Sequence, residues 1–128
     1  REGLIKFENS DYNSFKIFLE KDGLPNNTIK AITEDENNML WFSSNGGITR
    51  YAITENRFYN YNHLDGVPMG DFMGGSVASG KDGTIFFGSQ DGICYFNPSA
   101  NQSEMVLPPT VITEFILLNK PKLLLKKM

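Results

Sequence analysis

Cysteine, histidine and tryptophan occur once each in the 128 residues, and no apolar run approaches the roughly 20 residues that cross a bilayer as a helix. A single cysteine, Cys94, excludes an internal disulfide and any zinc site made of several cysteines. His63 has no second histidine or cysteine at ligand spacing, so it reads as a solvated loop residue rather than a metal ligand or catalytic base. Basic residues are also in short supply: 12 Lys and Arg stand against 15 Asp and Glu, a net charge of -3. That balance gives no footprint for a phosphate backbone and sets nucleic acid aside as a partner. The opening REGLIKFENS lacks the apolar core of a signal peptide. Either the chain is cytosolic or its address has been removed, and the second is favoured because the sequence begins with Arg midway through a pattern.

Glycine (12), phenylalanine (10) and tyrosine (5) are abundant, the mixture that many short strands joined by tight turns require. Self-comparison shows why. FKIFLEKDGLP from Phe15 lies over FYNYNHLDGVP from Phe58, so that Asp22-Gly23-Leu24-Pro25 falls on Asp65-Gly66-Val67-Pro68. MLWFSSNGGITRY from Met39 lies over TIFFGSQDGICYF from Thr84, with Trp41 on Phe86, Gly47 on Gly92 and Tyr51 on Phe96. GLIKF from Gly3 fits the slot of GITRY and GICYF. A period in the low forties filled with strand-like segments is the length of one four-stranded propeller blade, whereas helical repeats of that length need long amphipathic stretches that are missing here.

Within one unit the pattern predicts strands near Ile29 to Glu34, Met39 to Ser43, Ile48 to Tyr51 and Phe58 to Tyr61. Asn45-Gly46-Gly47, Asp91-Gly92 and Asp82-Gly83 supply the positive-φ residues of tight hairpins, and Asn37-Asn38 does so more weakly. TIKAITEDE could open a helix capped by Thr28, but the second copy, FMGGSVASG, carries Gly74, Gly75 and Gly80, each costing roughly 1 kcal/mol in a helix. A strand is predicted, with Met73-Gly74-Gly75-Ser76 as close packing near the axis; it lacks the lysine of a phosphate loop.

After Phe96 the pattern stops. Pro108-Pro109 cannot donate ladder hydrogen bonds and stiffens the chain, so 101–109 reads as a linker. The fold class expected is therefore all-β: residues 1–100 are C-terminal blades of a partial propeller of four-stranded antiparallel sheets (1–18 the end of one blade, 19–61 a full blade, 62–100 the last), and 110–128 is the truncated start of a β-sandwich.

The residues Gly23, Leu24, Pro25, Asn27, Ile29, Ile32, Asp35, Leu40, Trp41, Phe42, Ser44, Gly47, Ile48 and Tyr51 together resemble the two-component-regulator propeller repeat. The second copy departs from it, with Phe86 for the tryptophan and Met69-Gly70-Asp71 for Asn-Asn-Thr. Pro108-Pro109-Thr110-Val111 with Asn119-Lys120-Pro121 is similar to the opening of the immunoglobulin-like triple-tyrosine domain. The resemblance implies part of the periplasmic sensor region of a Bacteroidetes hybrid histidine kinase that senses oligosaccharides, with the kinase modules elsewhere. By the same implication the chain is not an enzyme, holds no cofactor and has no membrane segment of its own.

Individual residues fit that reading. Trp41 could stack on a sugar, but at a repeat position inside a strand it packs between blades. Cys94 reads as a buried apolar group, Asp35 and Asp82 as turn residues, and Glu34-Asp35-Glu36 as a solvated turn without the spaced ligands of a calcium loop. Catalytic and metal-binding sets are absent from the sequence, and its ligand-binding residues are not identifiable from it, although the loop from Phe58 to Met73, with Tyr59, Tyr61 and His63, offers a surface. Two rivals stay open: a protein-interaction scaffold, and a propeller lyase built on Lys30, Glu34 and Ser76. About two blades cannot close a ring, so exposed end faces and an unpaired edge at Val111 to Leu118 predict self-association or strand exchange.

Overall fold

The computed structural model describes residues 2–99, together with the backbone of strands 110–116 and 122–127. Among them there is no α-helix. Eleven strands form three antiparallel sheets. Blade I holds β1 (Leu4–Phe7) and β2 (Phe15–Phe18). Blade II holds β3 (Ile29–Glu34), β4 (Leu40–Ser44), β5 (Gly47–Ala52) and β6 (Arg57–Tyr61), each paired with the next. Blade III holds β7 (Phe72–Ser79), β8 (Ile85–Ser89) and β9 (Gly92–Phe96), extended by β10 (Thr110–Ile116) and β11 (Lys122–Lys127). The inner strands β3 and β7 lie side by side, and Thr33 Oγ1 meets Ser79 Oγ at 3.2 Å between them.

TIKAITEDE is a strand, as the glycines of its second copy predict. β3 pairs with β4 from Glu34↔Leu40 to Ile29↔Ser44, with one irregularity between Ile29 and Ala31. The turns behave as read: Gly83 and Gly92 have φ of 88° and 139°, and Asn38 takes φ 60°. Gly47 is the most constrained, with φ 123° and a missing Cβ whose place is filled by the carbonyl of Tyr61.

Two apolar layers join the blades. Leu4 and Phe18 of blade I, with Leu24, meet Phe42 and Tyr51 of blade II. Ala31, Trp41 and Ile48 on the other face of blade II meet Val67, Phe72, Ile85, Phe87, Cys94 and Phe96. Alternation along each strand sends one residue forward to the following blade and the next one back. Both faces of the middle blade are therefore apolar.

Two features differ from the sequence reading. The segment expected to open a separate sandwich lies, in this structure, on the last blade. Thr110↔Tyr95, Val111↔Cys94 and Ile112↔Ile93 reproduce the register of Tyr59↔Arg50, Asn60↔Thr49 and Tyr61↔Ile48. The repeat offers no outer strand after Phe96, and a β-branched run pairs with the edge that β9 would otherwise leave open. Thr110–Ile116 is accordingly paired on both sides, and the outer edge belongs to β11. The linker at 101–109 and Asn119-Lys120-Pro121 lie outside the described residues. Second, Gly74 and Gly75 are not closely packed: no atom lies within 4 Å of where their Cβ would sit. Their strand is irregular against β8 between Phe72 and Val77, and Gly75, at φ 71°, supplies the bend.

Candidate functional site

The repeated Asp-Gly-x-Pro builds one end of the propeller. In the second copy Asn62 Oδ1 accepts from the Leu64 amide (2.9 Å), and the Asn62 amide donates to Asp65 Oδ2 (3.0 Å). A single 3-10 turn results, and Gly66 at φ 95° ends it in the left-handed region. Val67 then turns fully into the core and Pro68 follows it inward. In the first copy Asp22 Oδ2 accepts from the Leu19 amide (3.0 Å) and Gly23 sits at φ 113°, with Leu24 buried in Val67's place. Pro25 then lies against Gly46 in the β4–β5 turn, as Gly70 lies against Asp91 in the β8–β9 turn. Interblade loops and hairpin turns thus share one rim.

On this rim a hollow of about 90 Å³ opens between blades II and III, lined by Asn45, Gly46, Gly47, Asn62, His63, Pro68, Met69, Gly70 and Phe72. Its polar groups are exposed side chains of Asn45, Asn62 and His63. Beside them Leu64 and Met69 stand 83% and 81% exposed. Amide and imidazole groups flanked by bare apolar side chains form an amphipathic surface, with the Asp91 carboxylate against Gly70 at its border. It suits a ligand that presents hydroxyls together with C–H faces.

The loop singled out in the sequence contributes unevenly. His63 reaches the rim, whereas Tyr59 and Tyr61 do not. Tyr59 lies between the guanidinium groups of Arg50 (4.1 Å) and Arg57 (5.1 Å) and donates its hydroxyl to Glu55 (2.9 Å). Tyr61 stacks on Trp41 at 6.1 Å, and burial raises its phenol above the usual value while nearby Arg50 acts against the shift. Leu64 and Met69 lie within that loop but were not singled out, and Asn45 was missed, because only the fold brings a hairpin turn and an interblade loop together.

The other candidates are structural. Trp41 is buried against Phe96 at 4.6 Å, and its Nε1–H donates to Asp35 Oδ2 (2.7 Å). Asp35 Oδ1 also accepts from the amides of Asn37 (2.8 Å) and Met39 (3.1 Å), so it closes the turn and anchors the indole. In blade III both partners change together: Gly80 takes Asp35's position and Phe86 the tryptophan's. Asp82 is held below the usual carboxylate range by hydrogen bonds from the amide and hydroxyl of Thr84. Cys94 is buried, and desolvation pushes its thiol up to about 12, leaving no reactive thiolate near neutral pH. Ser76 faces Gly88 of β8, which removes it from a set with Lys30 and Glu34. No group of three or more His, Cys, Asp or Glu able to hold a metal occurs among the described residues.

Comparison with known proteins agrees with this geometry. Residues 23–46 match the family model of the two component regulator propeller. The fold also superposes on the crystal structure of the extracellular domain of a hybrid two component system from B. thetaiotaomicron, with a TM-score of 0.74 and 40% identity over 93% of this chain. Residues 23–46 of blade II carry a two-component regulator propeller repeat. A further relative, Histidine kinase P4 of Formosa agariphila, is 25% identical over 105 residues, 82% of this chain. The chain spans 16% of the first of these proteins and 8% of the second. In the regulator propeller the matched segment runs from the Asp-Gly-x-Pro loop to the β4–β5 turn, so it covers the near side of the rim as well as Trp41 and Asp35.

Proposed function

We propose that this chain is part of the extracytoplasmic sensor region of a hybrid two-component receptor and that its rim contributes to binding an oligosaccharide. The observation that carries the reading is the 40% identity, sustained over 93% of the chain, to an extracellular domain of such a system. The chemistry of the hollow supports the ligand class. Asn45, Asn62 and His63 offer hydrogen-bonding groups for hydroxyls, and exposed Leu64 and Met69 offer apolar contact to the faces of sugar rings. The role is non-enzymatic, with the signal leaving through modules beyond this chain. In the receptor, a further domain beyond the last blade would take that signal toward the membrane, and the receptor works as a periplasmic sensor.

The test is calorimetric titration of the receptor ectodomain that contains these residues with a panel of neutral and uronic-acid-containing oligosaccharides. The expected result is saturable binding of at least one, weakened about tenfold or more by Asn45→Ala combined with His63→Ala. Titration of peptides and folded proteins serves as the contrast. Binding confined to those would move the assignment to an interaction scaffold, and turnover of a glycan would move it to a lyase.

A further inference from the structure

Gly70 and Asp91 meet at the border of the rim hollow, whose lining comes from blades II and III and the loop that joins them. The Asp91 carboxylate fills the space that a Cβ on Gly70 would need. Gly70 does not take a positive φ, so the backbone makes no demand for glycine there. The carboxylate across the gap does. Nor does the β8–β9 turn require an acid at 91, because blade II builds the same turn with Gly46 at that repeat position, and Gly47 and Gly92 supply the left-handed residue in each. Between blades I and II the contact of loop with turn joins Pro25 to Gly46 and carries no charge. The fold thus gives up a side chain at 70 to seat a carboxylate that its repeat does without.

Asp91 is exposed, and among the described residues no hydrogen-bond donor or cation pairs with its side chain. The charges around it have the same sign. Asp65 and Asp71 belong to the joining loop, and neither that loop, from Asn62 to Phe72, nor the β4–β5 and β8–β9 turns that face it contain a lysine or arginine. His63 is the one basic group there. On the preceding interblade loop Lys21 stands between Glu20 and Asp22, which leaves that part of the rim acidic as well.

Resting on the reading of this rim as a saccharide site, we propose that Asp91 sets its charge preference: sugars bearing an amine are taken before neutral ones, and neutral ones before sugars bearing a carboxylate or sulfate. An anionic sugar in the hollow sets a like charge against the Asp91 carboxylate with no arginine or lysine at hand to offset it. An ammonium there finds an acceptor that no other side chain has claimed, and the resulting bond is charge-assisted.

The receptor ectodomain, isotopically labelled in its methionine methyl groups, tests this, because Met69 lines the hollow and is 81% exposed. The Met69 methyl resonance is followed at neutral pH during titration with galactosamine, galactose and galacturonate, and with the matching gluco sugars, so that charge changes while the ring is kept. Galacturonate is expected to bind at least about fivefold more weakly than galactose, and galactosamine about twofold to fivefold more tightly. Added salt should narrow both gaps. Asp91→Asn is expected to bring the three sugars within about twofold of one another, whereas Asp82→Asn, which removes the same charge at the opposite end of blade III, keeps the wild-type ranking. Protection of the Cys94 thiol, buried in the II–III core, checks that each variant is folded. Equal affinities, a preference for the uronates, or a ranking that survives Asp91→Asn overturns the charge preference and leaves the rim as a saccharide site. A Met69 resonance that none of the sugars shifts overturns both.

Discussion

At the scale of single residues, the link between Trp41 and Asp35 is the clearest case of a side chain with two duties. The ring fills the II–III layer and the N–H anchors the turn that precedes it. Removing only the donor, as Trp41→Phe does, keeps most of the buried area but leaves a partly buried carboxylate oxygen without its partner. A cost of about 1–3 kcal/mol is expected. Asp35→Ala alone also loses two backbone acceptances, so the indole bond is isolated only by the double variant. Urea denaturation of all four proteins should show a coupling of about 1 kcal/mol. Simple additivity would mean that the indole bond contributes nothing. Blade III already shows the double replacement, in Gly80 and Phe86, and it keeps the same backbone turn: the Gly80 amide donates to the Thr84 carbonyl (2.7 Å) as the Asp35 amide does to the Met39 carbonyl (2.9 Å), while Asp82 in place of Asp35 accepts from the amide that follows, that of Thr84 (3.1 Å).

At the scale of elements, glycines of similar sequence context have opposite costs of replacement. Gly47 opens β5 at φ 123° with the Tyr61 carbonyl where its Cβ would be. Gly47→Ala is expected to destabilise by about 3 kcal/mol. Gly74 lies in β7 with open space around the Cβ position and no positive φ, so Gly74→Ala should stabilise by about 0.5 kcal/mol through the unfolded chain. Urea midpoints followed by the fluorescence of Trp41 would measure both, and a costly Gly74→Ala would show that the bend in β7 is tighter than its surroundings suggest. The sequence alone separates these two poorly. It shows a hairpin glycine at 47 because a polar turn and an alternating strand flank it, but it cannot show whether space near an inner strand is full or empty. Strand order within a blade was legible for a related reason: the repeat supplies two readings of each element, and the glycines of FMGGSVASG resolve the ambiguity of TIKAITEDE. The pairing of β10 with β9 was not, because the connection is long and the partner edge is a property of the sheet. The rim was half legible. Its loop was visible as a motif, whereas Asn45 belongs to a turn some twenty residues earlier that only folding places beside His63.

At the scale of the whole molecule, stability should be divided between two interblade layers rather than held in one core, since blade I touches the rest through a small set of side chains around Phe18. Phe18 is 2% exposed and meets Phe58 at 5.2 Å and Tyr51 at 5.7 Å. Truncating it to alanine removes contacts worth about 3–5 kcal/mol, and all of them lie in the first layer. The second layer has its own reporter, because Cys94 is buried there and its thiol is pushed up to about 12. Phe18→Ala is therefore expected to speed amide hydrogen exchange in β1 and β2 while leaving the rate of Cys94 labelling at neutral pH near that of the wild type. Trp41→Ala should do the reverse in the second layer and speed labelling. Both measurements follow local opening rather than global unfolding. Were Phe18→Ala to accelerate Cys94 labelling as much as exchange in β1 and β2, the three blades would open as one cooperative unit. The two layers would then share their stability in spite of having no buried residue in common.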